Sequence, residues 1–149
     1  MAISDAQFFK GWKQVLQMCN VKPGEQVTVL TSDDSNRQIA DIAKLAASDL
    51  GATVTELNLA PMNGEKAISR DKSGYIGKTP LEGNAAALAC LKASDMVIDT
   101  IQLLFSKEQE EVLKAGTRML LAVEPPEVMM RMLPRPEDKR RVLVAGQRI

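Results

Sequence analysis

The sequence contains no histidine in 149 residues. The side chain most used as a general base near neutral pH, as partner to a nucleophilic Ser or Cys, and as a transition-metal ligand is therefore missing. That argues against a self-sufficient hydrolase or metalloenzyme. Aromatic residues are scarce too: one Trp, one Tyr and three Phe make no platform on which bases could stack, as single-stranded nucleic-acid binders require. Charge of one sign is lacking, because 19 basic and 19 acidic side chains cancel. Nothing draws the chain generally toward nucleic acid or anionic lipid, and neither is expected as a partner. The two cysteines, Cys19 and Cys90, have no CxxC spacing and no His partner, which disfavours zinc and leaves them as small buried hydrophobes. No run of about 18 apolar residues occurs, and the N-terminus MAISDAQFFKGWKQ carries no basic region followed by an apolar stretch. The expectation is a soluble cytoplasmic protein.

What is present alternates between helix and strand over one α/β domain, residues 1–149, a length that buries about two-thirds of the unfolded surface. Ser4 is a good N-cap for a helix reaching about Asn20, with Phe8, Trp12, Val15, Leu16 and Cys19 in one apolar stripe. Lys22-Pro23-Gly24 predicts a turn, and Gln26 to Thr31 a strand. Ser32-Asp33-Asp34-Ser35 then supplies loop and N-cap to a helix from about Asn36 to Leu50, closed by Gly51. A second strand covers residues 53–59. Pro61 to Pro80, rich in Gly, Lys, Asp and Ser, reads as a long excursion. Leu81 to Ala93 predicts a helix, Asp95 to Thr100 a strand, and Ser106 with Glu108-Gln109 a capping box opening a helix that Gly116 ends. Arg118 to Val123 reads as a continuous apolar strand, followed by two helical segments separated by Leu133-Pro134-Arg135-Pro136.

Apolar strands between helices indicate a parallel sheet covered on both faces. The expected fold is a Rossmann-like or flavodoxin-like α/β sheet of about four strands. Ligands in such sheets sit beyond the carboxyl ends of the strands, here the loops near Ser32–Ser35, Pro61–Gly64, Thr100–Ser106 and Glu124–Glu127.

Few motifs survive inspection. Gly77-Lys78-Thr79 is like the end of a phosphate-binding P-loop, but Lys72 stands where the first glycine belongs and Pro80 follows. After the first strand TSDDSN replaces a GxGxxG fingerprint, which disfavours bound NAD or FAD. Asp33 and Asp34 could act as acid, base or hard-metal ligands, although N-capping explains them better. Glu108-Gln109-Glu110-Glu111 reads as a solvated helix face. Met129, Met130 and Met132 suit either a deformable partner surface or ordinary helix packing.

The stretch from Asp99 to Arg141, and above all LKAGTR, LLAVEPPEV and RMLP followed by DKRRVL, closely resembles the N-terminal part of 2,5-dihydroxypyridine 5,6-dioxygenases. Weaker likeness reaches back through LEGNAAALACLKASDMVIDT to the first helix. The resemblance implies an iron(II)-dependent ring-opening enzyme of nicotinate breakdown, more than twice this length and related in fold to leucyl aminopeptidase-type metallopeptidases. It implies that the Fe(II) ligands, histidines and a carboxylate, lie in a C-terminal catalytic domain, so that this chain holds no metal and no catalytic residue and partners that domain and further copies of itself. It also implies that Leu104 and Phe105 line the substrate pocket. Where the family typically reads LLHSPEQ this sequence has LLFSKEQ, so Phe105 replaces a polar, titratable ring and offers only stacking and apolar contact.

Two other readings stand beside this one. One is the N-terminal domain of a leucyl aminopeptidase-type metallopeptidase. The other is a free-standing, non-catalytic α/β binding or assembly module. A missing second domain would leave Val142, Val144 and Ile149 exposed and prone to drive self-association.

Overall fold

Ser4 sets the first helix. Its Oγ accepts the Gln7 N–H at 3.2 Å while Gln7 Oε1 accepts the Ser4 N–H at 3.4 Å, a reciprocal cap that starts α1 (Asp5–Met18). The computed structural model describes residues 3–60, 70–71, 74–75 and 79–132. After α1 come β1 (Gln26–Ser32), α2 (Arg37–Asp49), β2 (Thr53–Leu59) and a short antiparallel pair, β3 (Arg70–Asp71) with β4 (Gly74–Tyr75). The chain continues through α3 (Ala85–Lys92), β5 (Met96–Asp99), α4 (Lys107–Lys114), β6 (Arg118–Leu121) and α5 (Pro126–Arg131).

The four longer strands form a parallel sheet in the order β2-β1-β5-β6. The expected α/β class and strand number are thus present. The order reverses at β1: the chain moves one way to β2, then crosses back over β1 to β5. Right-handed crossovers in opposite directions must place their helices on opposite faces. Successive strand residues accordingly serve different cores. Val27, Val29, Met96 and Ile98 pack with Phe8, Trp12, Leu16, Ile39 and the alanines of α2. Leu30 and Val97 pack with Leu59, Leu81, Leu91, Leu103 and Val112.

Several boundaries differ from expectation. The helix predicted from Leu81 begins at Ala85, because Gly83 takes φ +72° and Asn84 caps the helix by accepting the Ala87 N–H at 3.1 Å. Residues Asp33 and Asp34 are exposed, and Asn36 caps α2 instead, accepting the Ile39 N–H at 3.1 Å. Strand β6 stops at Leu121 and is only partly covered, since it lies at the edge of the described sheet. Cys19 and Cys90 are half-buried rather than buried, and burial pushes the Cys19 thiol above its ordinary range. Met129 and Met130 pack against the first core, while Met132 is exposed. Gly51 ends α2 as expected: its φ is +89° and an added Cβ would lie 3.0 Å from Pro23. Val142, Val144 and Ile149, the second closing helix and Pro61–Gly64 lie outside the described residues, as do Gly77 and Lys78. No described helix is long and apolar enough to cross a membrane.

Charges secure the sheet at two places away from the carboxyl ends. Arg118 donates two hydrogen bonds to the Glu25 carboxylate at 2.9 and 3.0 Å, and Asp95 accepts the Gln26 N–H at 2.7 Å, tying the amino ends of β1, β5 and β6. The outer strand β2 is fastened by Glu56, which accepts from Arg37 at 2.9 and 3.0 Å, Lys44 at 2.6 Å and Thr31 Oγ1 at 3.0 Å. The Arg37 hydrogen bonds, with Lys44 and Thr31 behind them, hold the Glu56 carboxyl down at about 2 against an ordinary 4.5. A depressed carboxyl pKa stabilises the folded chain above the ordinary value, and that contribution drains away as pH falls from 4.5 toward 2. Half-exposed Arg37 weakens the pair through solvent screening, so Glu56→Gln should cost about 1–2 kcal/mol at pH 7. Denaturant unfolding at several pH values checks this: the gap between wild type and variant should shrink below pH 4.5, and a gap independent of pH would exclude the account.

Candidate functional site

The carboxyl ends of β1 and β5 flank the point where strand order reverses, the usual ligand crevice of an open α/β sheet. Here the chain's own hydroxyl groups span it. Ser35 Oγ accepts the Ser32 N–H at 2.9 Å and lies 2.7 Å from Thr100 Oγ1, which donates to the Leu30 carbonyl at 2.7 Å. Because Thr100 has a single hydroxyl proton, already given to Leu30, Ser35 must be the donor between the two. The relay joins the loop after β1 to the loop after β5 and leaves Asp33 and Asp34 exposed at its rim.

The loop after β5 is organised by Asp99. Register pairs it with Leu30 on one side and Leu121 on the other, so its carboxylate emerges at the end of the most central ladder. Only 1% of the residue is exposed. Oδ1 accepts the N–H groups of Ile101 and Gln102 at 2.8 and 3.0 Å, and Oδ2 accepts that of Leu103 at 2.7 Å. Charge-assisted bonds from consecutive amides both satisfy the carboxylate and fold the chain sharply back over it. Ile101 and Leu103 are driven into the second core.

That turn forces two non-glycine residues into the left-handed region, Gln102 at φ +67° and Phe105 at φ +64°. The second of these is the tip. Gln109 was expected to close a capping box on Ser106; instead Ser106 Oγ accepts the Gln109 N–H at 3.0 Å while Gln109 Oε1 accepts the N–H of Phe105 at 2.9 Å. The helix therefore clamps the residue before its cap and fixes Phe105 in a conformation that costs an L side chain about 1–2 kcal/mol. Its ring gains nothing inward to offset that cost, being 88% exposed. Leu104 is half-buried beside it. Glu124 and Glu127, after β6, are exposed and six-residue α5 has no side-chain cap.

Of the loops named from sequence, those after β1 and β5 are brought together by the Ser35–Thr100 contact. Pro61–Gly64 lies outside the described residues. Sequence reading passed over Asp99 as a strand end, although an acidic residue closing an apolar run just before Thr100 is the signal that finds it. It also placed Glu108 on a solvated face, whereas only Glu110 and Glu111 are exposed and Glu108 is buried.

Comparison with known proteins gives this geometry a context. The chain is 46% identical over 145 residues to the 2,5-dihydroxypyridine 5,6-dioxygenase of Pseudomonas putida KT2440, a match covering 97% of this chain and 41% of that protein. The solved structure of the P. putida 2,5-dihydroxypyridine dioxygenase superposes with a TM-score of 0.85 at 46% identity, over 97% of this chain and 42% of its own. The N-terminal domain of FACL13 from Mycobacterium tuberculosis shares the fold alone, at TM-score 0.52 and 12% identity over 87% of this chain and 28% of that one. This chain thus spans about two-fifths of the length of the dioxygenase it matches. Since the family model for 2,5-dihydroxypyridine 5,6-dioxygenase matches residues 7–149, nearly the whole sequence, the chain belongs to that family.

Proposed function

We propose that this chain is the N-terminal portion of a 2,5-dihydroxypyridine 5,6-dioxygenase-like ring-cleaving enzyme of nicotinate degradation, acting in the cytoplasm. In this reading it forms one wall of the substrate cleft, and a C-terminal catalytic domain of the same parent carries the iron(II) site. Further copies of the parent complete a homo-oligomer. The observation that carries the reading is Phe105: an exposed aromatic ring, held in a costly backbone conformation by Gln109, at the carboxyl end of the sheet of a family member. Strain retained without a packing return points to function rather than folding.

The described residues do not fit a metal. They include no group of three His, Cys, Asp or Glu side chains able to share an ion, and the sequence has no histidine. This chain's part is to bind and orient. Phe105 can stack on a flat heteroaromatic ring, worth about 0.5–1.5 kcal/mol beyond the area it covers. It neither donates nor accepts a proton, so it positions the substrate without titrating it. Leu104 adds an apolar shoulder, and Asp99 keeps both in place.

Fusing this chain to the remainder of the P. putida relative, in place of the matching segment, tests the reading by dioxygen uptake with 2,5-dihydroxypyridine. The fusion should open the ring, and the Phe105→Gly form should lose about tenfold in kcat/KM. In the 149-residue chain the same substitution should change stability by less than about 1 kcal/mol, since relief of backbone strain offsets the added freedom of glycine. A folded, iron-loaded fusion that is inert toward the pyridine would favour a non-catalytic module, and cleavage of a dipeptide instead would favour the aminopeptidase parent; ring opening that is indifferent to Phe105→Gly would remove Phe105 from the cleft wall.

Asp99→Ala should behave oppositely to Phe105→Gly. Leaving three amides without their acceptor, two of them on buried residues, should destabilise the isolated chain by roughly 3 kcal/mol or more. Urea denaturation measures it, and a loss below about 1 kcal/mol would show that the loop stands without the carboxylate.

A further inference from the structure

A second cavity lies away from the Phe105 tip. It is a groove of about 590 Å³ between the turn that enters α3 and the outer side of α4. Leu81 and Leu88 give it apolar walls, and Glu82 and Glu108 line it with carboxylates. Its other acids are occupied: Glu110 pairs with Lys114 at 2.9 Å, and Glu111, at 3.2 Å, with Lys92.

Glu108 is not. The residue is only 4% exposed, yet its Oε2 meets no hydrogen-bond partner among the described residues. Lys107 also borders the groove but forms no ion pair among the described residues, as expected for adjacent helical positions that point apart. The amino end of α4 favours negative charge, but no amide reaches that oxygen. A buried carboxylate oxygen without a donor is costly, and the residue that carries it borders a space large enough for a small molecule. A metal does not suit the place, because no three ligating side chains converge among the described residues.

We propose that the α3–α4 groove binds an alkyl cation, an ammonium or guanidinium head on an apolar stem, with Glu108 as its deep counter-ion. Leu81 and Leu88 flank the stem, and Glu82 stands at the exposed rim. A guanidinium or ammonium group brings several donors to one carboxylate, and Glu108 is the groove's carboxylate deep in the wall, without an ion pair among the described residues. The same chemistry is presented by a basic side chain of a protein and by a free amine. The site is separate from the aromatic-binding role assigned to Phe105 and does not depend on it.

Thermal unfolding of the 149-residue chain with increasing agmatine, and separately with N-acetyl-arginine amide, tests the proposal. Wild type should show a saturable rise in Tm with at least one of them, and Glu108→Gln should need at least about tenfold more ligand for the same rise. A rise with the blocked arginine alone identifies a protein side chain as the natural occupant, and one with agmatine alone a free amine. Without ligand, Glu108→Leu should unfold at a higher temperature than wild type, because it removes a buried polar oxygen that meets no donor among the described residues. If Glu108→Leu fails to fold, the comparison of wild type with Glu108→Gln decides. No saturable rise in wild type, or an equal rise in Glu108→Gln, overturns the proposal.

Discussion

The carboxylate of Asp99 is the constraint on which the upper end of the molecule depends. A parallel strand covered on both faces ends with amides that have lost their ladder partners and cannot reach water. Past Thr100, whose N–H still meets the Leu30 carbonyl, Asp99 accepts the N–H groups of Ile101, Gln102 and Leu103 at 2.7 to 3.0 Å, so the chain reverses over a single buried side chain instead of extending into solvent. Everything local follows from that reversal. Ile101 and Leu103 enter the second core, Thr100 reaches back to the Leu30 carbonyl, and the two left-handed residues appear where the path has no other way round.

The remaining anchors divide by level. At the amino ends of the strands, Glu25 with Arg118 and Asp95 with the Gln26 amide tie neighbours by charge. At the carboxyl ends the connections are neutral hydroxyls and one buried carboxylate, and the loops carry the exposed side chains. The Ser35–Thr100 relay joins the loops after β1 and β5 across the point where strand order reverses.

Much of this architecture was legible in the order of residues. The amphipathic spacing of Phe8, Trp12 and Leu16, the apolar runs at 27–30 and 96–98, and glycines at 51 and 116 specify helices, strands and stops through local rules alone. Two of the failures share one cause, competition between neighbouring polar groups for the same backbone donors. Asn36 outcompetes the two aspartates as cap of α2, and Gln109 spends its carbonyl on Phe105 rather than on Ser106. Both choices depend on path, which spacing does not encode. Glu108 was misplaced for a different reason: burial of one position on a charged helix turn is decided by the loop packed across it, far away in sequence.

Phe105 joins the local and the functional accounts. An exposed phenyl ring can sit on any loop without strain, and a left-handed tip is ordinarily given to Gly or Asn. Here both costs coincide at one residue, and its N–H is held by Gln109 in the first turn of α4. A loop selected for stability alone would shed one cost or the other by a single substitution. That it holds the ring outward, beside a half-buried leucine and beyond the strand ends, is what a surface needs if it is to meet a flat aromatic ligand whose other contacts come from elsewhere.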